Sequence, residues 1–138
     1  MFETDLEAWL RAQPALAALV GARISHNAPP GETKPYIVFS RSDTRAERTL
    51  AGDVGQAVVQ VDFDVWGASA AQAGDAAAAL RTALSAINAA VRAARQPVVM
   101  NGGTRVHSAA RGAEQDSYGS DTREFQRIVS ATFRIDEE

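Results

Sequence analysis

Apolar and polar residues alternate most regularly between residues 57 and 66. The apolar positions of one face are Ala57, Val59, Val61, Phe63 and Val65. Because successive side chains of a strand point to opposite faces, this pattern predicts a β-strand with one face in the core. Residues 125–135 show the same period, broken only by Arg127, and predict a closing strand.

Between these two segments the period changes to that of a helix. The apolar positions then alternate spacings of four and three, at Ala73, Ala77, Leu80, Leu84, Ile87 and Val91. That spacing predicts an amphipathic helix over about residues 70–94. Ser69 and Gln72 fit a capping box at its start, and Pro97 prevents the helix from continuing. We expect Val61, Phe63, Leu80, Leu84, Val129 and Phe133 to pack together as the core.

Two short helices are predicted at the N-terminus. Thr4 and Glu7 fit a capping box for a helix over residues 5–12. Pro14 suits the first position of a further helix over residues 15–20, because its missing N–H costs nothing there.

Short segments rich in β-branched and aromatic residues predict further strands at residues 35–40, 98–100 and 104–109. Two polar segments, residues 42–55 and 111–121, show no period, and we interpret the first as a long loop. Together these elements predict an α+β fold. A mostly antiparallel sheet of about four strands packs against the long helix at about 70–94 and the N-terminal helix. With no internal repeat and no composition change, residues 1–138 form a single domain.

Composition narrows the possible functions. A chain of 138 residues buries roughly two-thirds of its unfolded surface, so packing can stabilise the fold without a disulfide or a structural metal. Cysteine is absent, which excludes disulfides, thiolate metal sites and a cysteine nucleophile. The net charge of −3 argues against binding nucleic acid by neutralising phosphates. Glu3 and Asp5 stand where a signal peptide needs basic residues, so we expect a protein that stays in the cytoplasm or in a particle assembled there.

No set of residues predicts catalysis, a cofactor or a metal. His26 and His107 are the only histidines, and neither lies within a helical turn of another suitable ligand. Asp62 and Asp64 share one face of the strand at 57–66 and could serve as an acid/base pair or hold a hard cation. A solvated or subunit-facing surface explains them better, because no third ligand accompanies them. Trp66 on that face indicates a contact surface, or a helix wrapping over that end of the sheet.

Positive charge is concentrated in and just before the predicted long loop. Arg41, Arg45 and Arg48 occur there, with Asp43 and Glu47 between them. A loop of mixed charge is better suited to ion pairs with a neighbouring subunit than to binding the phosphates of DNA. The candidate assembly interface therefore comprises Arg41, Arg45, Arg48, Asp62, Asp64 and Trp66.

Taken in order, several of these segments resemble the tail-completion (tail-terminator) proteins of long-tailed phages and gene transfer agents. The similar segments are residues 14–21, 23–24, 35–39, 59–66, 80–84 and 127–133. They span nearly the whole chain, and their order and spacing carry the resemblance. The family has no catalytic residues, so the resemblance implies a structural virion protein and no enzyme.

The resemblance further implies a homohexameric ring that caps the tail tube, ends tail polymerisation and forms the surface joining the tail to the neck. Its partners would be its own copies, the tail tube protein and a neck or connector protein, and the free subunit can be monomeric. DNA would pass through the ring without specific binding, and no membrane is involved. The protein would then reside in the tail of a virion or phage-like particle assembled in the bacterial cytoplasm.

Two alternatives remain open from the sequence. One is another head-tail connector or neck component, which would show the same absence of chemistry. The other is a small ligand-binding or enzyme domain with a pocket between sheet and long helix. The sequence does not distinguish a phage, a prophage and a gene transfer agent as the source.

Overall fold

The computed structural model describes residues 2–27, 31, 33–49, 52–119 and 124–136, and their side chains except those of 46–49, 52–54, 116–119 and 124. Three helices and six strands occur in this part of the chain. In order they are α1 (Phe2–Arg11), α2 (Pro14–Val20), β1 (Ile24–His26), β2 (Tyr36–Thr49), β3 (Gly52–Gly67), α3 (Ala70–Ala94), β4 (Val98–Val99), β5 (Arg105–Gly119) and β6 (Glu124–Asp136).

The strands form one mixed sheet in the order β1-β2-β3-β6-β5-β4. β1 runs parallel to β2, and the other neighbouring strands are antiparallel. The α+β class is confirmed, but the sheet has six strands rather than about four. The expected count was low because β1, with three residues, is too short for a period to appear in the sequence, and because the segments at 98–100 and 104–109 were counted as one strand.

The long loop predicted over residues 42–55 is wrong. β2 and β3 continue through most of that segment and pair as far as Thr49 and Gly52, while residues 50 and 51 lie outside the described part. Two register shifts, between Arg41 and Asp43 and between Ala46 and Arg48, interrupt the ladder. Such bulges break the alternation of side chains, so the strand leaves no regular period in the sequence.

The polar segment at 111–121 likewise belongs mostly to a strand. β5 reaches Gly119, with a register shift between Arg111 and Glu114, and residues 120 and 121 lie outside the described part. Gly67 pairs with Phe125 at one end of the β3–β6 ladder, and Gln56 pairs with Asp136 at the other. The β2–β3 and β5–β6 hairpins therefore turn at opposite ends of the sheet.

The bounds predicted for the long helix agree with α3. The Ser69 hydroxyl accepts the Gln72 N–H at 3.1 Å, as in a capping box, while the Gln72 side chain accepts the N–H of Ala68, one residue before the cap, at 2.6 Å. Gly21 follows α2 with φ of 58°, a backbone conformation that glycine adopts without strain. Among the described residues, no helix has both the length and the hydropathy needed to cross a bilayer.

The N-terminal helix differs from the prediction. α1 begins at Phe2, so Thr4 lies inside the helix and the capping box predicted there is wrong. The Phe2 ring is fully buried and packs edge-on against Phe133 at 5.2 Å between centroids. Burial of this ring extends the helix back to Phe2, because tertiary packing outweighs a local capping preference.

A buried carboxylate fixes α1 to the far edge of the sheet. Asp5 is 4% exposed and accepts the N–H of Thr104 at 3.2 Å together with its hydroxyl. A Cβ at Gly102 would lie only 1.8 Å from Asp5 Oδ1, so glycine is required at this turn between β4 and β5. The Gly102-Gly103 pair forms the turn between β4 and β5.

The three helices contribute to one core on one face of the sheet. The six predicted core residues, Val61, Phe63, Leu80, Leu84, Val129 and Phe133, are each at most 2% exposed and belong to a single cluster. This confirms the face assignments of the two best strands and the long helix.

Truncation of this core should be costly. We expect Leu84→Ala and Phe133→Ala each to lower the free energy of unfolding by about 2 to 5 kcal/mol, because each leaves a cavity in a packed interior. Urea denaturation followed by circular dichroism measures the loss. Leu19→Ala is the control, since Leu19 is 39% exposed and should change stability by less than about 0.5 kcal/mol. Losses that small at both core positions would contradict the packing.

Candidate assembly surface

The face of the sheet opposite the helices carries three aligned rows of side chains from β2, β3 and β6. The rows follow from the register and are Tyr36–Trp66–Gln126, Val38–Asp64–Ile128 and Ser40–Asp62–Ser130. We call these nine residues the open face. Within the described residues, no helix packs on this side. The positions of β3 that alternate with its core residues therefore face away from the helices and can be polar.

The two carboxylates of the open face have partners within the sheet. The Ser130 hydroxyl donates to Asp62 Oδ1 at 2.8 Å. Asp64 lies between two apolar side chains, Val38 and Ile128, in its row. Burial raises the pKa of the Asp64 carboxyl above its ordinary value of 3.8, a hydrogen bond from Gln126 opposes the rise, and the charge of Asp62 adds to it.

Acid/base catalysis and cation binding by Asp62 and Asp64 would each need further groups nearby. In the portion of the chain whose placement is described, no group of three or more His, Asp or Glu residues could hold a metal ion. The two histidines are also separated, because His26 packs against Phe39 while the His107 ring approaches Asp136 at 2.7 Å. The two histidines therefore lie on different strands, each beside its own neighbour.

Trp66 has an aromatic neighbour. It stacks on Tyr36 of the adjacent strand with 6.3 Å between ring centroids and 29° between planes. Tyr36 is only 8% exposed, whereas Trp66 keeps part of its surface accessible. A partly exposed indole held in place by a neighbouring ring is well suited to a protein contact, since it loses little freedom on binding.

The structure separates the three candidate arginines. Arg41 points to the helix side, where its NH2 lies 2.6 Å from Glu3 Oε1 and its guanidinium lies 6.0 Å from the centroid of the Phe2 ring. Glu3 is only 9% exposed. Arg41 thus joins α1 to β2 within the subunit.

Arg45 lies on the other side of β2, paired with Val58 in the register and facing the same way as the open face. Its side chain is 74% exposed and its Nε lies 3.7 Å from Asp43 Oδ2, which is itself 57% exposed. A pair this exposed contributes little to stability, so both charges remain available to a neighbour. The Arg48 side chain lies outside the described residues, although its backbone pairs with Asp53.

A polar cleft lies at the β5 bulge, and its lining residues could not be identified from the sequence. It has a volume of about 350 Å³ and is lined by Arg81, Arg111, Gly112, Glu114 and Val129. Arg81 of α3 forms an ion pair with Glu114 at 2.6 Å. These residues are distant in the sequence, and no motif connects them. Only the way α3 packs beside β5 brings them together.

The Asp64 environment predicts a pH effect on stability. Because the folded-state pKa lies above the unfolded value, the folded protein binds more protons between the two values. The contribution of Asp64 is therefore least favourable above the folded pKa and improves as the pH falls towards 3.8. We expect Asp64→Asn to be at least as stable as the wild type at neutral pH, with an advantage that shrinks on acidification.

Urea denaturation of both proteins over a pH series gives the difference between their free energies of unfolding at each pH. The contributions of the other carboxylates are common to both proteins and cancel in this difference. Carboxyl carbon NMR gives the midpoint for Asp64 directly. Asp62→Asn should lower that midpoint, and replacing Gln126 with Leu should raise it. A wild-type midpoint at or below 3.8 would refute the assigned environment.

Comparison with known proteins agrees with this architecture. A chain from a structure described as the virion of a native gene transfer agent (GTA) particle superposes with a TM-score of 0.74, over 97% of this chain and 93% of that one. The two are 23% identical, so the likeness establishes a shared fold. No curated protein sequence matches the chain. The family model for tail completion protein gp17 matches residues 4–136. The chain therefore belongs to the tail completion protein gp17 family, whose members are structural proteins of phage-type tails.

Proposed function

We propose that this protein caps the tail tube as a ring, ends tail polymerisation and forms the surface that joins the tail to the neck. The observation that carries the proposal is the family match, which extends over residues 4–136. A homohexamer is the ring we propose. The direct partners are further copies of this chain, the tail tube protein and a neck or connector protein.

The shape of the subunit supports a ring. A closed ring with head-to-tail contacts needs two different surfaces on each subunit, because each patch meets a different patch of the next copy. We propose the end of the β2–β3 hairpin, which carries Arg45 and Arg48, as one patch, and the rows of Asp62, Asp64 and Trp66, further along the same side of the sheet, as another. Arg41 has a role within the subunit, between β2 and α1, so it supports this contact indirectly.

The charge of the subunit suits a passage for DNA. With a net charge of −3, a ring of six copies would be acidic, and like charge opposes binding to phosphates. DNA would then move through the ring without being held. We propose no catalytic activity and no cofactor for this protein, consistent with its two histidines lying apart, one beside Phe39 and the other beside Asp136.

The absence of a proposed metal site gives a simple test. We expect that adding Mg²⁺, Ca²⁺ or Zn²⁺, or adding EDTA, leaves the melting temperature unchanged within error. A ligand raises the melting temperature only by binding the native state. Differential scanning fluorimetry at increasing metal concentration measures the effect. A saturable rise of several degrees with one metal would overturn the proposal that this is a purely structural protein.

The hairpin contact predicts a selective defect in capping. We expect Arg45→Glu combined with Arg48→Glu to leave the fold and melting temperature of the free subunit unchanged, because Arg45 is exposed and weakly paired. The same variant should cap tails less well, because reversed charge at a contact opposes association. Electron microscopy of tails assembled with the variant measures their length and their joining to capsids.

A matched control makes the charge change specific. Arg92→Glu with Arg95→Glu alters the net charge equally but changes the last turn of α3 and the residue after it, which are not part of the β2–β3 hairpin. Tails capped by this control should have wild-type length. If the Arg45/Arg48 variant also gives tails of normal length that join capsids normally, the hairpin is not an assembly contact.

A further inference from the structure

Most of the outer edge of β2 has no strand beside it in the described structure. β1 pairs only with Ile37, Val38 and Phe39, so the edge is uncovered over residues 40–49. The N–H of Ile37 donates to Arg23 O and the N–H of Asn27 donates to Phe39 O, both at 2.9 Å. Odd-numbered residues in this part of β2 therefore turn their backbone groups outward, and Arg41 is the first of them beyond β1.

The bulge at Ser42 shifts this alternation by one residue. Asp43 pairs with Gln60 and Arg45 with Val58, so Thr44 is the next residue whose backbone faces outward. Its N–H donates to the Asp43 side chain at 2.9 Å instead of to the ladder, which agrees with that orientation. Exposed N–H and C=O groups of this kind form a template for pairing with another strand.

The opposite edge of the sheet, at β5, is also covered only over a short part of its length. β4 pairs only with Arg105 and Val106 of β5. At Ala109 the Asn88 side chain of α3 takes the place of a strand, since it accepts the Ala109 N–H at 3.0 Å and donates to the Ala109 O at 2.7 Å. From residue 110 to residue 119 no described strand lies on the outer side of β5.

The directions of these two edges match. β2 is antiparallel to β3, β3 to β6, and β6 to β5, so β2 and β5 run in opposite directions within one subunit. Rotation about a ring axis keeps the sense of each strand along that axis. The β5 edge of the next copy would therefore lie antiparallel to the β2 edge of the first, an arrangement with good hydrogen-bond geometry.

We propose that the β2 edge at 40–49 of one copy pairs with the β5 edge at 110–119 of the next copy, which continues the sheet from subunit to subunit. This inference rests on the proposed ring and names its contact. The two free edges lie towards opposite ends of the sheet, and strands that tilt against the axis of a closed barrel supply the stagger needed to join them. The exposed charges of Asp43 and Arg45 guard the β2 edge against random pairing while the subunit is free.

The absence of cysteine allows a direct test by disulfide cross-linking. Three single variants, Ser40→Cys, Asp43→Cys and Arg45→Cys, place a thiol on β2 on the side of the open face. Ala110→Cys and Gln115→Cys place one on the same side of β5. Each β2 variant is mixed with each β5 variant on capped tails and oxidised. We expect a cross-linked dimer in at least one mixture, because facing side chains of paired strands approach disulfide distance.

Thr44→Cys is the matched control, because Thr44 pairs with Val59 and lies on the helix side of β2. Its mixtures should give at least about fivefold less dimer than the best of the others, since thiols on opposite faces cannot reach disulfide geometry. This difference between faces is specific to strand pairing. Dimers formed by a single β2 variant with itself would instead indicate a two-fold contact and overturn the proposal.

The failure of this inference can be told apart from failure of the proposed function. If tails are capped normally and no mixture cross-links, the protein caps tails but its edges do not pair. If the wild-type protein does not limit tail length, the proposed function is wrong. The same mixtures are then oxidised at high protein concentration in solution. Absence of mixed dimers there also overturns the edge pairing.

Discussion

The packing of α3 against the apolar face of β3 and β6 is the contact on which the rest of this structure depends. Phe63 and Phe133 lie in neighbouring strands with ring centroids 6.5 Å apart, and Leu80 and Leu84 of α3 belong to the same core. Burial of these side chains supplies the main driving force for folding. The small residues Ala73, Ala76 and Ala77 allow the helix to approach the sheet closely. α1 and α2 then complete the same side.

Placing the helices on a single side has consequences for the other side. The open face keeps Asp62 and Asp64 on the surface, where each is held by a hydrogen bond from β6. Asp64 also lies between Val38 and Ile128, so its charge is poorly solvated even before any partner arrives. A surface that combines such a carboxylate with a partly exposed indole is suited to a protein contact.

The same arrangement leaves the sheet edges to be protected by other means. β1 and β4 each cover a short part of one edge, and Asn88 occupies the backbone of Ala109. The remaining edges carry charged residues and bulges, which are common defences against unwanted strand pairing. Under the ring proposed above, such a subunit would stay separate until it meets the correct neighbour on a finished tail.

The sequence by itself determined the elements whose residues repeat with a regular period. The alternation at residues 57–66 and 125–135 identified the two central strands, and Ser69, Gln72 and Pro97 fixed the ends of α3. These features are local, because a period and a cap depend only on neighbouring residues. The order of the segments also sufficed to indicate the family.

Tertiary structure alone decided which polar segments are strands and which charges meet. Bulges at Ser42 and after Arg111 removed the period from β2 and β5, so the hydrogen-bonded ladder, rather than any side-chain pattern, extends these strands. Arg41 pairs with Glu3, and Asp5 with Thr104, across long stretches of chain. A local pattern cannot specify such pairs, because they arise only when burial of Phe2 brings α1 onto the sheet.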